Sequence, residues 1–196
     1  MRRVLLVTAV VALLALGMAV QAATITSTFT GTGSGTLAGT PFPASPFSIT
    51  TVGDTVQRQH YPTQTAYVIA NTSASITIQG LGSFAFVTPT ETFCNYSVPA
   101  VGLSRQVTHE DLFDIGPEPT LAGWEMLTSI GPINSQTGWL GQWLSSAVQT
   151  SGGTLYFADA DGIPATFTAV VPEPSSIMAL AGSLVGLLGM RRRLRR

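Results

Sequence analysis

The stretch Thr24-Ile25-Thr26-Ser27-Thr28-Phe29-Thr30 places threonine at every second position, with Ile25, Ser27 and Phe29 between. Successive side chains of an extended chain point to opposite faces, so this period of two predicts a strand with one wet face and one buried face. Phe47-Ser48-Ile49-Thr50 and Ser73-Ala74-Ser75-Ile76-Thr77-Ile78-Gln79 repeat the pattern. Gly80-Leu81-Gly82 then separates Ile76-Thr77-Ile78 from Phe84-Ala85-Phe86-Val87, the signature of a hairpin with its aromatic side chains turned inward. Residues 65–70, 92–96 and 124–130 read as further strands, and Leu155-Tyr156-Phe157 with Thr166-Phe167-Thr168-Ala169-Val170 as a last hairpin around Asp159-Ala160-Asp161-Gly162. Serine and threonine make up 39 of the 148 residues from 24 to 171. Threonine is stiff at χ1 and suits a pleated, half-wet surface, so composition agrees with pattern.

Two stretches do not alternate cleanly. Residues 98–119 mix Gly, Pro and charge, with Arg105, His109, Glu110, Asp111, Asp114 and Glu118 crowded together, and read as a long surface loop. Trp139-Leu140-Gly141-Gln142-Trp143-Leu144 fits helical spacing through its Trp and Leu pairs, yet Leu140, Leu144 and Val148 also share one strand parity, and we assign it to strand. About nine to eleven short strands with Gly/Pro punctuation and no firm helix predict an all-β body, an antiparallel β-sandwich of jelly-roll type over residues 24–170. No repeat of twenty to fifty residues is visible, which argues against a propeller or solenoid.

The ends have a different character. Met1-Arg2-Arg3 is a cationic start, residues 4–19 carry no charge, and Val20-Gln21-Ala22 offers small or short residues where a signal peptidase cuts; residues 1–22 read as a signal peptide. At the other end Val171-Pro172-Glu173-Pro174 precedes an apolar run over residues 175–190, and Arg191, Arg192, Arg193, Arg195 and Arg196 close the chain. Proline on each side of Glu173 removes amide donors and biases Val171 and Glu173 toward extended backbone, an exposed handle that an enzyme can grip. Sixteen residues make a helix of about 24 Å against a hydrocarbon core of about 30 Å, a marginal transmembrane helix. The arginines resist crossing and by the positive-inside rule hold this end in the cytoplasm, leaving the body on the other side.

These three parts in this order resemble the PEP-CTERM sorting signal of Gram-negative bacteria. The resemblance covers residues 171–196. It implies an exported protein, held transiently in the inner membrane and processed near Pro172-Glu173-Pro174 by an exosortase, an integral-membrane enzyme. The body is then handed to the cell surface or extracellular matrix.

For the body itself the residues exclude more than they assign. Arg58 and Arg105 face nine acids between residues 24 and 171, and the chain has no lysine, so nucleic acid is a poor partner. Cys94 is the single cysteine, which rules out an internal disulfide and reads as a small buried thiol. His109-Glu110-Asp111 with Asp114 is the densest set of cation ligands, although such acidic loops are usually only solvated, and no metal or other cofactor is assigned. No catalytic constellation is visible, and the body is not read as an enzyme. Trp124, Trp139 and Trp143, with Tyr61, Tyr67, Tyr96 and Tyr156, are the aromatic residues able to stack on sugars, with the three Trp as the candidate platform, although in a sandwich of this size most such rings are expected to fill the core. The expected role is structural or adhesive display outside the cell, with a carbohydrate-binding module that retains extracellular polysaccharide as the alternative.

Overall fold

The computed structural model describes residues 23–172, within which Thr24–Val171 forms one unit. The expected signal peptide (1–22), Glu173 and Pro174, the expected transmembrane segment 175–190 and the terminal arginines lie outside the described residues. Among the described residues no helix is long and apolar enough to cross a membrane.

Twelve strands follow one another: β1 Thr24–Leu37, β2 Thr40–Asp54, β3 Gln59–Tyr61, β4 Ala66–Ile78, β5 Gly82–Ala85, β6 Thr90–Asn95, β7 Ala100–Arg105, β8 Asp111–Ile115, β9 Ile130–Leu140, β10 Val148–Thr150, β11 Gly153–Phe157 and β12 Ala160–Val170. All pairings are antiparallel. The expected sandwich is replaced by a barrel, because β1 pairs along one edge with β2 and along the other with β12. The ring therefore closes as β1-β12-β9-β8-β7-β6-β4-β2 and back to β1, eight strands with no free edge. Beyond Thr30 the second edge of β1 passes to β11, which pairs with β10, while β5 extends β4 and a bridge between Phe86 and Thr150 joins these additions.

The alternation read from the sequence is what makes this closure possible. Along β1, Ile25, Ser27, Phe29, Gly31 and Gly33 are buried while the threonines between them are partly or fully exposed. Inside, Phe29 meets Phe167 at 4.9 Å between ring centroids, Phe47 meets Phe113 at 5.2 Å, and Trp143 meets Phe157 at 5.0 Å. Glycine on β1 makes room for these rings: a Cβ on Gly31 would lie 2.8 Å from Phe47, and one on Gly33 2.7 Å from Leu140 and 2.8 Å from Phe157. Outside, the register aligns Asn134, Thr166, Thr30, Ser48, Thr77 and Ser83 in one polar row across six strands. The serines and threonines of this row belong to the wet wall of the barrel, whereas Ser27, Thr51, Thr92 and Ser104 are buried.

Several expectations are corrected. Residues 98–119 are not one long loop: Val101 and Leu103 of β7 and Phe113 and Ile115 of β8 are fully buried core positions, and only the turns around them carry the exposed charge. The strand expected at Trp124 begins at Ile130, because Trp124 and Met126 turn into the core from an irregular segment, with Met126 at φ 61°. β11 and β12 do not form a hairpin with each other; each pairs with a different stretch of β1, and Asp161-Gly162 sits in a register shift at the start of β12. The strand assigned across Trp139 to Leu144 stops at Leu140. Beyond it, the Arg105 guanidinium donates to the carbonyls of Gln142 and Trp143 at 2.9 and 3.3 Å and of Ser146 at 2.5 Å, pulling the chain off the sheet.

Candidate functional site

Successive strands run up and down, so the loops divide between two ends of the barrel. One end gathers residues 55–65, 96–99 and 116–129 with the start of β1 and the end of β12. Contacts confirm the grouping: Glu118 N–H donates to the Pro99 carbonyl at 2.6 Å, Arg58 pairs with Glu125 at 2.8 Å, and His60 Nε2 lies 3.2 Å from the Tyr96 hydroxyl. Aromatic rings cluster here, with His60 exposed and Tyr67 and Tyr96 half-buried. His60 stacks on Tyr67 with centroids 4.8 Å apart, Tyr96 lies 5.5 Å from Tyr67, and the Arg58 guanidinium sits 4.5 Å over the Tyr67 ring. His60 and Tyr67 are direct cross-strand partners between β3 and β4, which is why they stack.

Charge in this cluster is organised by contact. The Arg58 hydrogen bond, with help from its charge and from the Tyr67 hydroxyl, holds the Glu125 carboxyl below its ordinary range. Burial and the neighbouring Glu125 raise the Tyr67 hydroxyl above its usual value. With Tyr67 covered by His60 and Arg58, the His60 and Tyr96 rings, a fixed guanidinium and a carboxylate make a set that can pack on an apolar sugar face and hydrogen-bond its hydroxyls.

The tryptophans of the expected platform are dispersed. Trp143 is 2% exposed and donates its Nε1–H to the Leu112 carbonyl at 2.8 Å, while Trp124 is 6% exposed, packs against Phe167 and donates to the Thr128 carbonyl. Only Trp139, paired with Asp114, stays half-exposed. The structure therefore gathers Tyr67, Tyr96 and His60 where the sequence drew attention to Trp. The alternation of β4 and the short β3 carried the signal, but nothing local to the sequence places residue 96 beside residue 60.

The acidic group lies on β6 and β8, with His109 and Glu110 in the turn before β8. Glu91, 4% exposed, accepts from Ser104 Oγ at 3.1 Å and contacts His109 Nδ1 at 2.5 Å. Burial pushes Asp111 up to about 6, with Glu91 adding to it, and pushes Asp114 up to about 8, with Asp111 adding to it. One Asp114 oxygen is buried without a partner. Among the described residues no group of three or more His, Cys, Asp or Glu side chains is placed to hold a metal ion. Cys94 is fully buried, and burial pushes its thiol up to about 12.

The last described feature is the junction with the tail. Val171 N–H donates to Ser129 Oγ at 2.9 Å, and the Ser129 hydroxyl reaches the Val171 carbonyl at 3.2 Å. Val171 also packs against the core, so the folded body extends one residue beyond β12. A family model for the PEP-CTERM protein-sorting motif matches residues 170–196. The C-terminal region is a PEP-CTERM sorting motif. The motif implies export, membrane-associated sorting and an exosortase as processing partner. Of its residues, Val170, Val171 and Pro172 are described; Val170 ends β12 and Val171 is tied to the barrel.

No curated protein matches the chain. Among solved structures, a DUF1329 family protein from Desulfovibrio piger aligns over 80% of this chain and 88% of its own, with 6% identity and a TM-score of 0.16, too low to bear on fold or function.

Proposed function

We propose that the chain is carried across the inner membrane by its signal peptide, anchored there by residues 175–190 with the arginines inside, cut by an exosortase near Pro172-Glu173-Pro174, and left at the cell surface or in the extracellular matrix of a Gram-negative bacterium. There the barrel has a structural or adhesive role and no enzymatic one. The observation that carries this reading is the sorting motif at 170–196 joined without a linker to a closed barrel. Replacing Pro172, Glu173 and Pro174 with alanine is expected to leave full-length protein in the inner membrane. Release of the altered body at the unaltered level would reduce the tail to a simple anchor.

A second reading has its own observation. The exposed His60 ring and the half-buried Tyr67 and Tyr96 rings beside Arg58 and Glu125 favour binding of an extracellular polysaccharide. Specific signals on a glycan array, lost in Tyr67→Ala and Tyr96→Ala without loss of fold, support this reading. Absence of binding at millimolar sugar removes it.

A further inference from the structure

The covalent geometry of the tail restricts where the barrel can be while it is anchored. Ser129 fixes Val171 to the body, and three residues, 172–174, separate it from the apolar run. Fully extended, three residues span at most about 10 Å. The end of the barrel that carries Val171 is therefore confined within about that distance of the headgroup region for as long as residues 175–190 are in the bilayer.

That end has the composition of a membrane-interface surface. Val56, Val98 and Leu127 in its loops and Val170 at the end of β12 are 44–56% exposed, at the same end as the Tyr67 and Tyr96 rings, whose amphipathic character suits the headgroup level. Its cation Arg58 is taken by Glu125, while Asp54 and Glu118 add negative charge, so an anionic lipid surface is disfavoured. The opposite end is as apolar, with Leu81, Val87, Val107 and Leu144 exposed, so the tether rather than composition selects which end meets the lipid. A short tether also supplies a high effective concentration, and a weak contact suffices.

We propose that, before processing, the barrel docks on the zwitterionic lipid surface through the end formed by Val56, Val98, Leu127 and Val170, covering the His60–Tyr67–Tyr96 surface until the exosortase cut releases it. The proposal rests on the anchoring reading above. It adds that the aromatic surface is masked on the anchored chain and open on the released one.

The test uses residues 23–196, the chain as it stands once the signal peptide is removed, in phosphatidylcholine vesicles containing a lipid-borne quencher. Cys94 is fully buried, so single labels are placed by Val56→Cys and Leu127→Cys at the tethered end and by Leu81→Cys and Leu144→Cys at the far end. Flotation reports anchoring, and unchanged denaturation midpoints report folding. The expected result is that floated protein loses most of its emission from labels at 56 and 127 and keeps it at 81 and 144. Floated protein with equal quenching at both ends, or none at either, overturns the docking and leaves the anchor standing. Protein that stays at the bottom of the gradient removes the anchor and the docking together.

Discussion

Ser129 holds Val171 by both of its backbone groups, accepting from the amide at 2.9 Å and donating to the carbonyl at 3.2 Å. One side chain from the segment before β9 thus decides where the folded body ends and the sorting handle begins. The first residue of the handle belongs structurally to the barrel.

Ser129→Ala removes that clasp. The cost in stability should be small, about 1 kcal/mol, because the bonds lie at an exposed edge. Amide exchange read by mass spectrometry should show faster exchange at Val171 while β12 keeps its protection. Unchanged protection at Val171 would mean that packing alone holds it.

Arg105 is the opposite case, a charge 4% exposed that serves the fold. It pairs with Glu110 at 2.9 Å and satisfies carbonyls of the 142–146 segment, some forty residues away. Arg105→Met leaves those acceptors without a donor, and a loss of about 3–5 kcal/mol is expected, read as a lower urea midpoint with unchanged slope. A shift under about 1 kcal/mol would contradict this role.

Crowding on β1 gives a third test. A side chain at Gly33 would meet Leu140 and Phe157 inside van der Waals distance, so Gly33→Val should cost at least about 1–3 kcal/mol through overpacking where the barrel closes. Thr32→Val, one residue away on the exposed face, should leave the midpoint within about 0.5 kcal/mol.

The pH dependence follows from Asp114 and Asp111. Their folded values, about 8 and about 6, lie above the ordinary carboxylate value of about 3.9. Between those limits the folded chain binds more protons than the unfolded one, so stability is fullest at the acid side of the window and declines as pH rises toward 8. Glu110 and Glu125 are shifted downward and act below pH 4.5, outside the window. Urea midpoints should fall between pH 5 and pH 8, and Asp114→Asn should flatten the decline. A midpoint that rises over that range would contradict the burial of Asp114.

The strands were legible wherever side chains alternate around an apolar inner face, as in β1, β2 and β4, because that pattern is local. Closure was not, because it depends on β1 pairing with β12, more than 130 residues away, and no sequence window contains both. The β7–β8 region was obscured by its charges: Val101 and Leu103 alternate properly, but Arg105 signals surface to any local reading, and its burial is explained only by carbonyls on a distant segment. The tryptophans carried two readings for a related reason. Sugar platforms and barrel cores both use large aromatics, and only the packing against Phe157 and Phe167 shows which use applies. The sorting signal, by contrast, is written in consecutive residues and was readable without a fold.

The most direct test of the account is the C-terminal residue of the protein recovered from outside the cell, determined by mass spectrometry. The account predicts a terminus at or just beyond Val171, with residues 191–196 gone. Recovery of released, fully folded protein with Arg191 through Arg196 intact would contradict it.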